Sequence, residues 1–155
     1  MSIHYPMKYR DYSVSDLKSD SQEYHTDGFI ERYAVDTSTL KMTQPKLFSE
    51  DTVNVQSMEY LQKLIKLCRK ERIEFVAVTT PIPEETLKKY QESYEEAWNY
   101  FETFFGKEKV QYLNFNTTYY ELFSHDINSY TDYDGHMNGD SARNYSEILA
   151  YFLKK

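Results

Sequence analysis

The hydrophobic pattern divides the chain into an irregular N-terminal arm and a regular remainder. Residues 1–50 sustain neither a helical nor a strand period, and they are rich in Ser, Asp, Thr and Tyr. Apolar residues partly alternate over residues 28–35, which predicts a short strand there. We therefore expect an arm, residues 1–50, that packs on other structure, and a folded α/β unit over residues 51–155.

Five elements with clear periods follow the arm. Helical spacing of apolar residues indicates a helix, whereas a short continuous apolar run indicates a buried strand. Pro83 suits a first helical turn, and Gly106 is expected to end that helix in the left-handed conformation. The predicted elements are a helix over 53–71, a strand over 74–80, a helix over 83–106, a strand over 110–115 and a helix from 140.

This order predicts an α/β fold. Strands separated by helices are joined by parallel crossovers, and sites in such folds lie where loops leave the carboxyl ends of the strands. The loops in question are residues 79–83 and 114–138. Two strands alone leave both sheet edges open, so we expect the 28–35 stretch, a second copy of the chain or additional strands to cover them.

Charge and composition exclude several classes of partner. The chain of 155 residues has 18 Lys and Arg against 25 Asp and Glu, a formal net charge of −7. No stretch concentrates the cations that nucleic acid or an anionic membrane requires, and no apolar run is long enough to span a bilayer. Cys68 lies in a helical apolar stripe, which predicts a buried small side chain and not a thiol nucleophile.

The densest polar cluster lies just before the last helix. Asp132, Asp134 and His136 fall in a loop at the carboxyl side of the strands. A histidine there can act as a general base, with an aspartate fixing its tautomer. The alternative is a helix-entry loop in which these side chains are solvated and Asn138 or Asp140 caps the helix.

No metal or cofactor is predicted. The oxygens of Asp132, Asp134, Asn138 and Asp140 alternate along this loop, but the glycine and terminal glutamate of a calcium loop are missing. His125 is expected to be a solvated loop residue, and His4 and His25 lie in the arm without evident partners. The aromatic stripe of the long helix favours core packing over a ligand groove.

The C-terminal block YDGHMNGDSARNYSEILAYFL resembles that of SGNH/GDSL-type hydrolases, in particular the branch related to teichoic-acid D-alanylation and alginate-acetylation proteins. His136, Met137, Asn138 and Ala142 match the motif, whereas Ser141 stands where the family has glycine. The passage LIKLCRKERIEFVAVTTPIP is similar to the helix and strand before that block. The resemblance covers residues 53–155 and implies a partial flavodoxin-like three-layer fold.

The resemblance also implies a Ser-His-Asp triad that contains His136. The family places its aspartate three residues before the histidine, where this chain has Tyr133, so Asp134 and Asp132 are both candidates and we favour Asp134. Gly139-Asp140-Ser141 opens a helix and does not follow a buried strand, which favours capping over a nucleophilic role for Ser141. The other serines lie in the arm or within helices.

Two functions follow as expectations. The first is the C-terminal portion of an acyl esterase or acyltransferase that acts on a small acyl ester or an acylated surface glycan, with its serine outside these residues. Such a chain would be inactive alone, and its parent would be extracytoplasmic by resemblance. The second is a non-catalytic α/β module that pairs with a copy of itself or a partner through its sheet edge.

Overall fold

The protein is a mixed α/β unit with a parallel strand pair at its centre. The structure is a computed structural model that describes residues 18–44 and 47–154. Two strands, β3 (Val76–Thr79) and β4 (Gln111–Asn114), pair in parallel, in register from Val76 opposite Gln111 to Thr79 opposite Asn114. The predicted class is thereby confirmed. The elements are β1 (Gln22–Tyr24), β2 (Ile30–Arg32), α1 (Val55–Lys70), β3 (Val76–Thr79), α2 (Glu84–Lys89), α3 (Gln91–Glu108), β4 (Gln111–Asn114) and α4 (Gly139–Leu153).

Helices flank both faces of the parallel pair. Successive residues of a strand point to opposite sides, so Ala77 and its register partner Tyr112 share the face that α1 and α3 cover. Leu113 lies on the other face, where it packs in a cluster that includes side chains of α4. Because β3 and β4 run in the same direction, the loops that follow them emerge together at one end of the unit.

The helix that follows Pro83 differs from its prediction. It is two helices, α2 and α3, which meet at Tyr90, whose backbone angles (φ −121°, ψ 29°) leave the helical region. The apolar spacing continues across this break, so the pattern does not reveal it. Gly106 does not end α3 either. The helix stops at Lys109, which takes the left-handed conformation (φ 53°) and donates its N–H to the Gly106 carbonyl.

The arm is more regular than predicted. Strands β1 and β2 form an antiparallel hairpin, closed by hydrogen bonds between residues 25 and 29 in which Gly28 has φ +91°. Residues 28–35 do contain a strand, as expected, but β2 pairs with β1 and not with β3 or β4. The parallel sheet thus has two strands within the described residues. No helix in this part of the chain is long and apolar enough to cross a membrane.

Candidate functional site

The two strand exits are tied together by one buried side chain. Asn116, which follows β4, accepts a hydrogen bond from the Ile82 N–H at 3.0 Å and donates one to the Thr80 carbonyl at 2.8 Å. The loop after β3 is held in this way against the loop after β4. A buried amide is stable only when its polar atoms are paired. Asn116 meets this condition through the two hydrogen bonds, which hold the loop after β3 and the loop after β4 in fixed positions.

Residues 130–138, here called the histidine loop, form a tight hairpin beside these two loops. Tyr130 and Met137 make an antiparallel bridge, and the Thr131 N–H donates to the His136 carbonyl at 2.7 Å. Gly135 has φ +97°, a conformation that side chains other than glycine's rarely adopt. The hairpin therefore closes around a turn that requires glycine.

The histidine loop packs directly on the exit of β3. A Cβ built on Gly135 would lie 2.6 Å from Ile82 Cγ2, so glycine is also needed for close approach. The Thr86 hydroxyl of α2 donates to the Tyr133 carbonyl at 2.7 Å. His136 is consequently held at the carboxyl end of the parallel strands, where α/β folds place their sites.

Asp132 is the carboxylate that contacts His136. Its Oδ2 lies 2.7 Å from His136 Nδ1, while its Oδ1 accepts the N–H groups of Asp134 at 3.0 Å and His136 at 3.2 Å. A carboxylate only accepts, so the neutral form of the ring that suits this contact has its proton on Nδ1 and its lone pair on Nε2. The His136 side chain is 55% exposed, which leaves it open to a reactant.

Asp134, which we favoured from the sequence, lies elsewhere. Its Oδ1 accepts a hydrogen bond from the Thr43 hydroxyl at 3.1 Å. The turn explains the difference, because Asp132 Oδ1 caps the N–H groups two and four residues ahead and this folds its carboxylate under the ring. Arg32 of β2 also approaches Asp132, with 3.6 Å between Nη1 and Oδ2.

The start of α4 accounts for the remaining polar residues of the cluster. Asn138 caps the helix by accepting the Ser141 N–H at 3.0 Å, and its Nδ2 donates to the Asn128 carbonyl at 2.8 Å. Ser141 lies in the first helical turn and Asp140 is fully exposed there. Among the described residues, no group of three or more His, Cys, Asp or Glu side chains could hold a metal ion.

His125 is buried, so the expectation of a solvated residue is wrong. Its Nδ1 donates to the Ile82 carbonyl at 2.7 Å, its own carbonyl accepts the Glu84 N–H at 2.9 Å, and its ring stacks on Tyr120 with centroids 3.9 Å apart. Nε2 is sealed from solvent and has no partner among the described side chains. His125 therefore supports the β3 exit through its contacts with Ile82 and Glu84.

Of the two arm histidines, His25 departs from expectation. His25 is paired, with 2.8 Å between its Nε2 and Glu31 Oε2. His4 lies outside the described residues. Only His136 combines an open ring nitrogen, a carboxylate partner and a place at the strand exits within the part of the chain that the structure describes.

An open cavity beside the strand exits does not include the histidine loop. It has a volume of about 450 Å³ and lies between α2, α3 and the loop after β4, with Trp98 and Tyr120 among its lining residues. His136 is absent from this lining. A reactant at His136 would therefore rest against an open surface of this unit.

Sequence reasoning missed three residues of this region. Asn116, Arg32 and Thr43 bridge segments that are far apart in the chain; Arg32, for example, reaches Thr131, 99 positions away. No local period marks such residues. Only Asn116 has a modest signal, since a polar residue directly after a predicted buried strand falls at the end where sites form.

Comparison with protein-family models, with curated proteins and with solved structures finds no match to this chain.

Proposed function

We propose that residues 51–155 are the C-terminal unit of an SGNH-hydrolase-like acyl esterase or acyltransferase with a partial flavodoxin-like three-layer fold. In this proposal His136 is the general base and Asp132 orients it. The serine nucleophile and the donors that stabilise the oxyanion come from outside residues 1–155. The substrate is an acyl ester on a small molecule or a surface glycan.

The contact of 2.7 Å between His136 Nδ1 and Asp132 Oδ2 carries this proposal. It fixes the tautomer that a triad needs, with a basic Nε2 on an exposed ring. The family places the aspartate three residues before the histidine, and the four-residue spacing here is accommodated by the turn at Gly135. The position at the carboxyl end of β3 and β4 adds support, because a serine on a neighbouring strand would reach this end too.

The proposed chemistry conserves every proton. The serine Oγ attacks the acyl carbonyl carbon while His136 Nε2 takes the hydroxyl proton, and the imidazolium then donates that proton to the leaving alkoxide oxygen. Water, or an acceptor alcohol, loses a proton to Nε2 as its oxygen attacks the acyl-enzyme carbonyl carbon, and the imidazolium returns that proton to the serine Oγ as the acyl C–O bond breaks. Asp132 accepts the Nδ1–H hydrogen bond throughout.

Exposed apolar side chains on β3 and α1 support the proposal that further strands come from elsewhere. Val78 of β3 is exposed, and so are Leu64 and Leu67 of α1. A further parallel strand beside β3 would pair with the edge of β3 that does not face β4 and would extend the sheet. This is the place where a serine-bearing segment would dock.

The test is ester hydrolysis by the complete product of the gene that encodes this chain, with p-nitrophenyl acetate and an acetylated oligosaccharide as substrates. We expect His136→Ala to lower kcat/KM by at least about a thousandfold and Asp132→Asn by at least about a hundredfold. Asp134→Asn is the matched control and should retain most of the activity. A fluorophosphonate probe should label a serine outside residues 1–155.

Activity that survives His136→Ala, or a complete gene product without acyl transfer, would refute the proposal. Labelling of Ser141 would show instead that the literal Gly-Asp-Ser triplet is the nucleophile. The isolated 155-residue chain should give no turnover that depends on His136.

The second candidate is an interaction module that pairs with a second copy of itself. The observation in its favour is the same exposed apolar side of α1 and β3, because an isologous contact of two β3 edges would give a four-stranded sheet. In that case the chain has no reaction of its own, and His136 and Asp132 are surface residues.

Light scattering across a wide range of concentrations separates the two functions. The module predicts a dimer that Leu64→Glu dissociates, whereas Tyr151→Glu, at a still more exposed position on α4, leaves it intact. The hydrolase proposal predicts no dimer through this side. A monomer at all concentrations removes the second candidate.

A further inference from the structure

We infer that Arg32 and Thr43, two residues of the arm, are positioning residues that hold the histidine loop in its working geometry. The inference rests on the proposed function, because it assigns to the arm a role at the same site. It goes beyond that function by making residues more than 85 positions before His136 part of the site's framework.

Arg32 contacts the loop at the aspartate that orients His136. Its Nη1 lies 3.4 Å from the Thr131 hydroxyl and 3.6 Å from Asp132 Oδ2. This is the oxygen that His136 Nδ1 also contacts. The guanidinium therefore restrains the carboxylate on the side away from the backbone N–H groups that hold its other oxygen.

Thr43 contacts the opposite limb of the same turn. Its hydroxyl donates to Asp134 Oδ1 at 3.1 Å. Between these two points, the Thr37 hydroxyl donates to Asn128 Oδ1 at 3.1 Å, just before the loop begins. The arm thus follows the loop on one side and touches it at both of its aspartates.

The arm can act as a brace because β2 is itself anchored to α4. Glu31 Oε2 lies 2.7 Å from Arg143 Nη2 and 2.8 Å from His25 Nε2. The Glu31 side chain also packs so closely on Gly139, at the start of α4, that a Cβ there would lie 2.7 Å from its Cγ. Strand β2 is in this way fixed to the helix that the histidine loop enters.

The loop needs such a brace. His136 and Asp132 are partly exposed, and a pair of exposed charged groups alone gains little from its contact. A general base must be held to within about 0.5 Å of its productive position. Contacts from a separately anchored strand restrict the turn in a way that hydrogen bonds within the turn cannot.

Amide hydrogen exchange on the 155-residue chain tests the inference without any substrate. We expect Arg32→Ala combined with Thr43→Val to accelerate exchange at the Thr131 and His136 amides by roughly tenfold. The His136 Nδ1–H resonance should broaden or disappear in the same variant. Arg32→Lys combined with Thr43→Ser should restore both signals in large part, since each keeps a donor at the same place.

Lys41→Ala is the matched control. It removes a cation from the arm that forms no ion pair within residues 18–44 and 47–154, and it should change neither signal. The inference is wrong if the double variant leaves exchange in the loop unchanged. It is equally wrong if the β3 and β4 amides accelerate as much as those of the loop, because the arm would then stabilise the whole fold and not the site. Neither outcome depends on ester hydrolysis, so this inference can fail while the proposed function stands.

Discussion

Two residues that lie side by side on the adjacent parallel strands differ in their exposure to solvent. Leu113 of β4 is 0% exposed, whereas its register partner Val78 of β3 is 37% exposed. Around Leu113 the rings of Phe115 and Tyr145 pack edge to face, 5.0 Å apart, and α4 covers them.

The contrast teaches that the two strands are covered unequally; below, the closed side means the cluster around Leu113 and α4, and the open side means the exposed residues of α1 and β3. The closed side carries the histidine loop, whose Tyr130 is itself fully buried in the α4 cluster. The open side carries exposed apolar residues, among them Leu67 of α1 and Val78 of β3. Stability and site geometry should therefore depend on the closed side, and association should depend on the open one.

The largest expected effect comes from truncating a buried aromatic side chain on the closed side. Phe115→Ala should lower the free energy of unfolding by about 3–5 kcal/mol, since it removes a fully buried ring. Leu67→Ala on the open side, where the side chain is 52% exposed, should cost less than about 1 kcal/mol. Urea denaturation measures both, and equal losses would contradict the contrast.

A glycine pair isolates the contact between the histidine loop and the β3 exit. Gly135→Ala should lower the free energy of unfolding by about 1–3 kcal/mol from backbone strain, with a further loss from the clash with Ile82. Gly28→Ala is the matched control, because its φ of +91° is similar but its added Cβ meets nothing within 4 Å. Thermal unfolding should show a larger loss of unfolding free energy for Gly135→Ala than for Gly28→Ala, and the difference is the cost of the clash. Equal losses would show that the loop does not rest on Ile82.

Two buried tyrosines on the closed side should respond in opposite directions to loss of their hydroxyls. Burial raises the pKa of Tyr145 to about 12, and its hydroxyl has no partner among the described residues. Tyr145→Phe should therefore be neutral or stabilising by about 1 kcal/mol. Tyr130→Phe should cost about 1 kcal/mol, because that hydroxyl donates to the Ser124 carbonyl at 3.2 Å. Chemical denaturation measures both, and a larger loss at Tyr145 would reveal a missing partner.

The smallest effect concerns the attachment of β2 to α4. Hydrogen bonds from Arg143, and next from His25, hold the pKa of Glu31 below its usual value. A depressed carboxyl pKa contributes stability above the unfolded-state pKa of about 4.3, and this contribution is lost as the pH falls through the lower folded-state value. The advantage of the wild type over Arg143→Gln should therefore be present at pH 6 and shrink towards pH 3. Denaturation at the two pH values measures it, and a constant difference would contradict the assignment to Glu31.

The order of helices and parallel strands could be predicted from the sequence because it rests on local periods. Helix α1 lies within residues 53–71 as expected, with Asn54 accepting the Ser57 N–H as its cap. Strands β3 and β4 lie within the predicted apolar runs. The break at Tyr90 could not be predicted, since one residue outside the helical region leaves the apolar spacing unchanged.

The site could be predicted only in part, because its geometry depends on contacts between distant residues. The sequence placed His136 and two aspartates in one loop, but it favoured Asp134, and only the turn around Gly135 distinguishes the two carboxylates. The burial of His125 follows from its contacts with Ile82 and Tyr120, which no spacing indicates. The contact of Arg32 with the histidine loop depends on a hairpin of which the sequence indicated one strand, and Thr43 lies in a stretch for which the sequence predicted no element.

The central claim is that Asp132 presents His136 with a free, basic Nε2. Nitrogen-15 NMR of the histidine ring, recorded at alkaline pH where imidazole is neutral, tests it most directly. We predict that His136 carries its proton on Nδ1 in the wild type and in Asp134→Asn, and that Asp132→Asn abolishes this preference. A proton on Nε2 in the wild type, or a preference that persists in Asp132→Asn and is lost in Asp134→Asn, would contradict the account.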